Sequence, residues 1–298
     1  MLKSLKSALV ASLRAVFALM GRRFTRRTIN IIRAALVGLE GAPGIQREEI
    51  LGIETGKGLL RFYCLGDLAV WRAETLLTKE PETIAWIDAM DNDDVLWDIG
   101  ANVGLYSIYA GAKNGLRVLA FEPASANYFL LNRNIEINQL SDRVTAYCLA
   151  LNNRTEVGEL MMQGTELGGA LNSFNDPVDH YGNRFVAAFR QGMLGYAIDD
   201  FVTTFNPPFP NHIKVDVDGI EDKIIKGAAR TLSDRRLKSL SIELDDARPD
   251  YSQSVIADIE AGGLKFVRKS HSEMFDNTEY RNIYNYHFHR PAPLGGKK

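Results

Sequence analysis

The sequence has few cysteines, almost no net charge and no unbroken apolar run long enough to cross a membrane. Its two cysteines, Cys64 and Cys148, lie far apart without a C-x-x-C pair. The sequence therefore predicts neither a disulfide framework nor a zinc site, and two buried, reduced thiols suit a cytoplasmic protein. The formal net charge of −2 provides no general attraction to nucleic acid. We predict no nucleic-acid partner.

Common hydrolase and metalloprotease motifs are also missing. The sequence contains no G-x-S-x-G, and its five histidines form no H-E-x-x-H pair. Nucleophilic hydrolysis is therefore disfavoured. Among the histidines we retain only His180 as a general-base candidate, because it lies in a variable part of the chain.

The N-terminal 42 residues are the one part of the chain with a marked charge asymmetry. Eight basic residues precede the first acid, Glu40, and they are Lys3, Lys6, Arg14, Arg22, Arg23, Arg26, Arg27 and Arg33. Apolar residues recur between them at helical spacing, which predicts a basic amphipathic helix. Arg14 interrupts the apolar run, which disfavours a transmembrane span or a signal peptide. Two interpretations stay open: the helix lies on the inner face of the membrane as a peripheral contact, or it packs on protein.

One stretch organises the rest of the sequence, an apolar run at residues 95–97 that leads into DIGANVG at residues 98–104. The run is typical of a buried parallel strand, and the residues after the turn have helical character. Gly100 and Gly104 predict a tight turn that brings backbone close to a ligand at a helix N-terminus. The turn lacks the middle glycine of a dinucleotide fingerprint, and Asp98 at the strand end suits a cationic ligand group better than a pyrophosphate.

A second apolar strand, residues 116–121, ends at Glu122, 24 residues after Asp98. A carboxylate at this place in a β-α-β unit can hold a ribose diol. The alternative is that Glu122 caps the helix expected from residue 124. Because the glycine turn lies upstream, we favour the ribose.

The pattern after Glu122 predicts a doubly wound α/β domain. A crossover helix is expected over residues 124–138 and a third strand over residues 144–151. Residues 152–195 have weak periodicity and are interpreted as a variable insert with short antiparallel strands near residues 157–162. Long inserts in compact domains are usually functional, so we expect this one to form part of a substrate pocket.

Polar residues interrupt the next predicted strand. In IKVDVDGIE, residues 213–221, Lys214 and Asp216 alternate with apolar residues, whereas a strand covered on both faces is usually apolar throughout. Buried polar groups cost free energy unless they are paired or used. The strand at residues 240–245 also ends in acids, Glu243 and Asp245, and residues 264–268 and 282–289 predict a closing antiparallel pair.

Together, DIGANVG, Glu122 and IKVDVDGIE resemble the motifs of the FkbM-type family of class I S-adenosylmethionine (SAM) dependent methyltransferases. The resemblance covers residues 91–290. It implies a Rossmann-like α/β fold with a mostly parallel seven-stranded sheet and a terminal antiparallel hairpin. Asp218 stands where the family usually has a glutamate, which keeps the charge and shortens the reach.

The resemblance implies SAM as cofactor and S-adenosylhomocysteine as product. The residues assigned to cofactor binding are Asp98, Gly100, Asn102, Gly104, Glu122 and Ala150, the last of them with its neighbours as a cover for the adenine. For catalysis we assign Asp216 as proton acceptor and Lys214 as its partner; an ion pair that only supports the fold is the alternative. The acids at the end of the neighbouring strand, Glu243 and Asp245, leave open the binding of a divalent cation, but no metal is predicted.

The resemblance implies, as the most favoured function, O-methylation of a hydroxyl on a small-molecule, sugar or glycan, or secondary-metabolite acceptor. The alternatives are an NAD-type oxidoreductase and a catalytically inactive SAM-binding module. The basic N-terminal helix suggests an enzyme that acts in the cytoplasm at or near the membrane face. Neither the acceptor nor the oligomeric state follows from the sequence.

These patterns divide the chain into four parts. Residues 1–42 are the basic helical extension, and residues 43–90 are expected to form a β-hairpin and helix subdomain, with β structure over residues 50–71 and a helix that starts at Pro81. Residues 91–290 are the methyltransferase-like domain with its insert at 152–195. Residues 291–298 are a flexible tail.

Overall fold

The computed structural model describes residues 48–113, 115–179 and 181–292. The predicted N-terminal helix, His180 and the last six residues of the predicted tail lie outside the described residues. Within the described ranges, no helix is both long enough and apolar enough to cross a membrane.

The elements are numbered here in chain order. They are β1 (Glu48–Thr55), β2 (Gly58–Leu65), α1 (Asp67–Glu74), α2 (Pro81–Asp88), β3 (Val95–Ile99), α3 (Leu105–Gly111), β4 (Arg117–Phe121), α4 (Ser125–Ile137), β5 (Val144–Tyr147), β6 (Ala150–Asn152), β7 (Glu156–Met162), β8 (Asn172–Phe174), β9 (Phe189–Ala197), α5 (Ile198–Phe205), β10 (His212–Val215), α6 (Glu221–Lys226), α7 (Ala229–Ser233), β11 (Ser239–Asp245), α8 (Pro249–Ala261), β12 (Lys265–Ser270) and β13 (Ile283–His289). Two short 3-10 turns, Glu273–Phe275 and Glu279–Asn282, lie between β12 and β13.

The described chain begins with an antiparallel hairpin, β1 and β2, where the sequence predicts one. The predicted β structure does not continue through residue 71, because α1 begins directly after the hairpin. Gly66 adopts a φ of +93°, a conformation open to glycine, and turns the chain there. Helix α1 then buries Ala69, Val70 and Ala73. The β prediction for residues 67–71 was wrong, since these residues bury a helical face.

The central sheet has seven strands in the order β12-β13-β11-β10-β3-β4-β5. Strands β11, β10, β3, β4 and β5 are parallel, and β13 runs antiparallel to both β11 and β12. This topology confirms the predicted Rossmann-like sheet with a terminal antiparallel hairpin. The order of connection reverses between β3 and β10, so the sheet has a switch point beyond the carboxyl ends of these two strands.

The two faces of the central sheet differ in polarity. One face carries Trp97, Ile213 and Leu240 into an apolar core shared with α5, α6, α7 and α8. The other face lies beneath elements from α1 to α4, and in the β3–β10 register it sets Asp98 directly opposite Lys214. The alternation in the β10 sequence therefore separates an apolar face from a charged one.

The predicted third strand, residues 144–151, is broken in the structure. Strand β5 ends at Tyr147, and residues 150–152 form β6 in a separate four-stranded sheet of order β6-β9-β7-β8. The two residues between them carry the chain from one sheet to the other. One of these is Cys148, which is exposed, whereas Cys64 is buried as predicted.

Candidate active site at the carboxyl ends of the parallel strands

A cavity of about 910 Å³ opens at the carboxyl ends of β3, β4, β10 and β11. This is where ligands bind in open α/β sheets. Four segments line it besides the strand ends: residues 68–80, the glycine turn after β3, the insert around residues 163–172, and the segment between β12 and β13. The predicted residues that line it are Asp98, Gly100, Asn102, Glu122, Lys214 and Asp216.

The glycine turn packs so closely against the end of β10 that residue 100 has to be glycine. Gly100 has a φ of +83°, and a Cβ added there would overlap the backbone carbonyl oxygen of Asp216. Gly104 lies outside the cavity lining; its φ is +89°, and a Cβ there would overlap Leu131. Gly100 thus brings the turn against the cavity floor, while Gly104 allows α3 to pack on α4.

Glu122 supports the turn from the neighbouring strand end. Its carboxylate accepts hydrogen bonds from the backbone N–H groups of Asn102 and Ala124, each at 2.8 Å. The contact with Ala124 is the helix-capping role that the sequence left as an alternative. Burial raises the pKa of Glu122 to about 7, although these hydrogen bonds oppose the shift. The carboxyl group also faces the cavity and can contact a ligand there.

Asp98 is only 1% exposed and lies at the cavity floor. One carboxylate oxygen accepts a hydrogen bond of 2.5 Å from the Ser107 hydroxyl. Its other oxygen, Oδ1, is buried and has no hydrogen-bond partner among the described residues. Burial raises the pKa of Asp98, while the nearby Lys214 ammonium opposes that shift. A buried, unpartnered carboxylate oxygen favours a ligand that donates a hydrogen bond or carries positive charge.

The insert folds over the turn and is tied down by amide side chains. The Nδ2 groups of Asn102 and Asn127 both donate to the carbonyl of Gly169 at 2.9 Å. From the other side, the backbone N–H of Asn172 donates to Asp218 at 3.0 Å. Burial raises the pKa of Asp218 to about 6. The insert lines the cavity, as the sequence predicts for a substrate pocket, whereas Asn127 has no distinguishing sequence signal because it looks like an ordinary helix residue.

Lys214 lies buried at the centre of the charged face, with only 2% of its surface exposed. Its ammonium forms an ion pair with Asp216 and lies 4.9 Å from the centre of the Tyr106 ring. Burial lowers the pKa of Lys214, but Asp216, Glu80 and Asp98 outweigh it and raise the pKa above the usual value. Lys214 is therefore a permanent cation in this site.

Asp216 belongs to a group of three carboxylates. Oxygens of Glu80, Asp216 and Glu243 all lie within 4.8 Å of one another and line the cavity. Of the described residues, these could surround a cation, but Lys79 lies 2.9 Å from Glu80 and Lys214 is paired with Asp216. The other acid considered from the sequence, Asp245, lies outside the group and accepts a hydrogen bond from the Ala247 N–H at 2.8 Å. We assign no metal.

Ala150 does not line the large cavity, contrary to the prediction. It lies in β6 and borders a separate space of about 40 Å³ between the two sheets, together with Leu149 and Leu151. The prediction assumed that the third strand continues to residue 151. Since that strand ends at Tyr147, Ala150 is directed into the core.

Much of the cavity wall comes from segments without a recognisable motif. Helix α1 contributes Trp71 and Arg72, and the loop after β12 contributes Phe275 and Tyr280. The wall also includes Tyr106, whose buried hydroxyl has no hydrogen-bond partner among the described residues. The only sequence signal for these residues was their aromatic or basic character, which also fits ordinary packing.

Comparison with known proteins gives a family match at this site. The family described as "Methyltransferase FkbM domain" matches residues 98–280, more than half of the chain and most of the cavity-forming segments. A curated relative, the hexuronic acid methyltransferase AglP of Haloferax volcanii, is 26% identical over 166 residues, which are 55% of this chain. The match spans 62% of the relative's own length.

Two solved structures are similar at the level of the fold. Precorrin-6y C5,15-methyltransferase from Geobacter metallireducens is 14% identical and has a TM-score of 0.42, with 71% of this chain and 87% of that chain covered. TYW2 from P. horikoshii, in complex with MeSAdo, is 12% identical and has a TM-score of 0.46, with 86% and 80% covered.

Gly100→Ala is expected to lower the free energy of unfolding by roughly 2–5 kcal/mol, because the added Cβ meets the Asp216 carbonyl in a positive-φ conformation. Urea unfolding followed by circular dichroism measures the change. Gly56→Ala is the matched control: nothing lies within 4 Å of its added Cβ, so a change below about 0.5 kcal/mol is expected. Equal effects of the two substitutions would contradict the close approach of turn and strand.

Lys214→Met is expected to destabilise the protein by about 3–5 kcal/mol at pH 8, since it leaves several buried carboxylates without their cation. The loss should shrink towards pH 5, because the remaining carboxyls can take up protons. Thermal or urea unfolding at both pH values tests this. Lys226→Met, which removes an exposed pair with Asp222, should change stability by less than about 0.5 kcal/mol. A loss that stays constant with pH would show that charge is not the cause.

Proposed function

Since the chain belongs to the FkbM methyltransferase domain family, we propose that it transfers a methyl group from SAM to a hydroxyl oxygen of a sugar, glycan or other small-molecule acceptor. One observation carries the proposal. A single cavity joins the glycine turn, Asp98 and Glu122 at one part of its wall to a cluster of ammonium and carboxylate groups at the ends of β10 and β11. A cofactor and an acceptor can therefore meet in one cavity.

The residues around the turn fit SAM. The unpartnered Oδ1 of Asp98 suits the positively charged end of the cofactor, and the Glu122 carboxylate suits the ribose hydroxyls. Gly100 and Asn102 provide the backbone of the turn between them. We propose Asp98, Gly100, Asn102 and Glu122 as the cofactor contacts, and Gly104 as a residue that shapes the turn.

SAM supplies an electrophilic methyl group bound to a sulfonium sulfur. The protein has to exclude water, align the acceptor oxygen and receive its proton. Lys214 and Asp216 lie where the cavity is bounded by strand ends, and the ion pair holds Asp216 in one orientation. We propose that Asp216 accepts a hydrogen bond from the acceptor hydroxyl, so that this oxygen is fixed for attack.

A carbohydrate acceptor is favoured by two observations. The Haloferax volcanii relative is named a hexuronic acid methyltransferase, so a homologous chain is associated with a sugar. The cavity also presents Trp71, Phe275 and Tyr280 beside carboxylates and asparagines. Aromatic faces with hydrogen-bonding groups around them suit a ring that has both C–H surfaces and hydroxyls.

Asp98→Asn and Glu122→Gln are each expected to weaken S-adenosylhomocysteine binding about tenfold or more, because each substitution removes one charge-assisted hydrogen bond to the ligand. Isothermal titration calorimetry measures this. The control is Glu74→Gln, on an exposed position of α1 outside the cavity lining. Unchanged affinity in both site variants would remove the cofactor assignment.

The affinity for S-adenosylhomocysteine is also expected to depend on pH. Glu122 has a pKa of about 7, so its ionised, hydrogen-bond-accepting form is mostly absent at pH 6 and mostly present at pH 8. Wild type should therefore bind about tenfold more weakly at pH 6 than at pH 8. Glu122→Gln should show a much flatter profile, and an equally steep one would assign the titration to another group.

Asp216→Asn is expected to lower kcat/KM about 100-fold or more, because the acceptor hydroxyl loses an ionic hydrogen-bond partner. The assay transfers tritiated methyl groups from SAM to a panel of neutral glycosides and glucuronides. Binding of S-adenosylhomocysteine should stay within threefold of wild type. A variant with full turnover and intact cofactor binding would exclude Asp216 from the reaction.

A further inference from the structure

The charged cluster contains one more carboxylate than ammonium group. Glu80 lies 2.9 Å from Lys79, and Asp216 is paired with Lys214. Glu243 belongs to the same cluster, within 4.8 Å of both acids, and has no ion-pair partner among the described residues. The cluster therefore holds two carboxylates that each have an ion-pair partner and a third, Glu243, that has none of its own among the described residues.

The position of Glu243 makes it accessible to an acceptor. It lies on β11 next to β10, lines the cavity and is partly exposed to it. In the antiparallel register it faces Asn285 of β13, another residue of the cavity wall. Tyr280 and Lys79 also line the cavity, and both interact electrostatically with Glu243. A hydroxyl of a ligand in the cavity can therefore reach the Glu243 carboxylate.

The other groups of the cluster are poorly suited to receive a proton. Asp216 is already engaged by the buried Lys214 ammonium, for which it is the nearest counter-charge. Glu80 is held ionised: burial opposes its charge, but Lys79 and Lys214 outweigh burial and lower its pKa. Burial raises the pKa of the Tyr106 phenol well above its usual value, so this group stays protonated and is not available as a base.

Glu243, in contrast, is suited to receive a proton. Burial raises its pKa well above the usual value, Asp216 and Glu80 add to the shift, and Lys79 and Lys214 only partly offset it. A carboxylate with a raised pKa is a stronger base than an ordinary glutamate and is better matched to proton transfer near neutral pH.

We propose that Glu243 is the general base of the reaction and that Asp216, held by Lys214, is a positioning residue. This inference rests on the proposed O-methyl transfer. In the step, the acceptor O–H bond breaks and its proton passes to a Glu243 oxygen, while the oxygen's electron pair forms the new bond to the methyl carbon. The electron pair of the broken S–C bond stays on sulfur, so that charge and atoms balance without a further reactant.

The first part of the test does not need an acceptor. Protein labelled with ¹³C at the glutamate side-chain carboxyls is titrated by NMR, and the Glu243 signal is identified by its loss in Glu243→Gln. The signal is expected to titrate well above those of the exposed glutamates. A Glu243 signal that titrates with the exposed glutamates overturns the proposal, whatever the acceptor is.

The second part uses the tritiated-methyl assay with the panel of neutral glycosides and glucuronides. Glu243→Gln should lower kcat at least 100-fold and keep its affinity for S-adenosylhomocysteine within threefold. It should also lose the rise of kcat with pH that the wild type is expected to show at saturating SAM. Glu243→Asp, which keeps the charge and shortens the reach, should retain partial activity and the pH profile. Asp216→Asn should raise KM more than it lowers kcat, and Glu74→Gln is the matched control.

The outcomes separate this proposal from the proposed function. Full kcat in Glu243→Gln with a large loss of kcat in Asp216→Asn assigns the base to Asp216 and overturns the proposal. Mn²⁺ that binds at micromolar concentration and broadens the Glu243 signal, together with activity that EDTA abolishes and Mg²⁺ restores, shows a cation site instead and also overturns it. If wild type methylates nothing on the panel, the proposed acceptor class fails, and the NMR titration alone decides on Glu243.

Discussion

A single buried cation, the ammonium of Lys214, holds the charged face of the central sheet together. An isolated ammonium in such a place would be unstable, and it is stabilised because Asp216, Glu80 and Asp98 surround it from three different segments of the chain. Its strand, β10, pairs directly with β3, so that the carboxylate assigned to the cofactor and the one assigned to the acceptor share the same cation. Removal of the Lys214 charge would therefore alter the electrostatic environment of both carboxylates, Asp98 and Asp216.

The glycine turn adds a steric link to this electrostatic one. Because Gly100 lies against the carbonyl of Asp216, the turn proposed to bind the cofactor cannot shift without displacing the end of β10. Glu122 holds the same turn from the other side through the Asn102 N–H. The two substrates would therefore be aligned by backbone that is fixed on both flanks, which suits a reaction whose catalysis depends largely on alignment.

The local sequence pattern was sufficient to predict the sheet and the residues on one side of the cavity. Asp98, Gly100 and Glu122 follow apolar strands within 30 residues of sequence, and the alternation around Lys214 marked a strand with two unlike faces. Glu80 and Tyr280 carry no such mark, because tertiary packing alone brings them to the strand ends. Ala150 was misplaced for a related reason: apolar residues run on past Tyr147, and nothing in them shows that the chain changes sheets there.

The cavity wall extends beyond the segment that defines the family. Residues 98–280 match the family, yet Trp71, Lys79 and Glu80 precede that segment and Asn285 follows it. Two members can therefore agree throughout the matched region, conserve the cofactor turn and still present different walls to the acceptor. Substitutions in the flanking segments can change the cavity wall without altering any residue of the matched region, so identity across that region does not by itself fix the shape of the cavity.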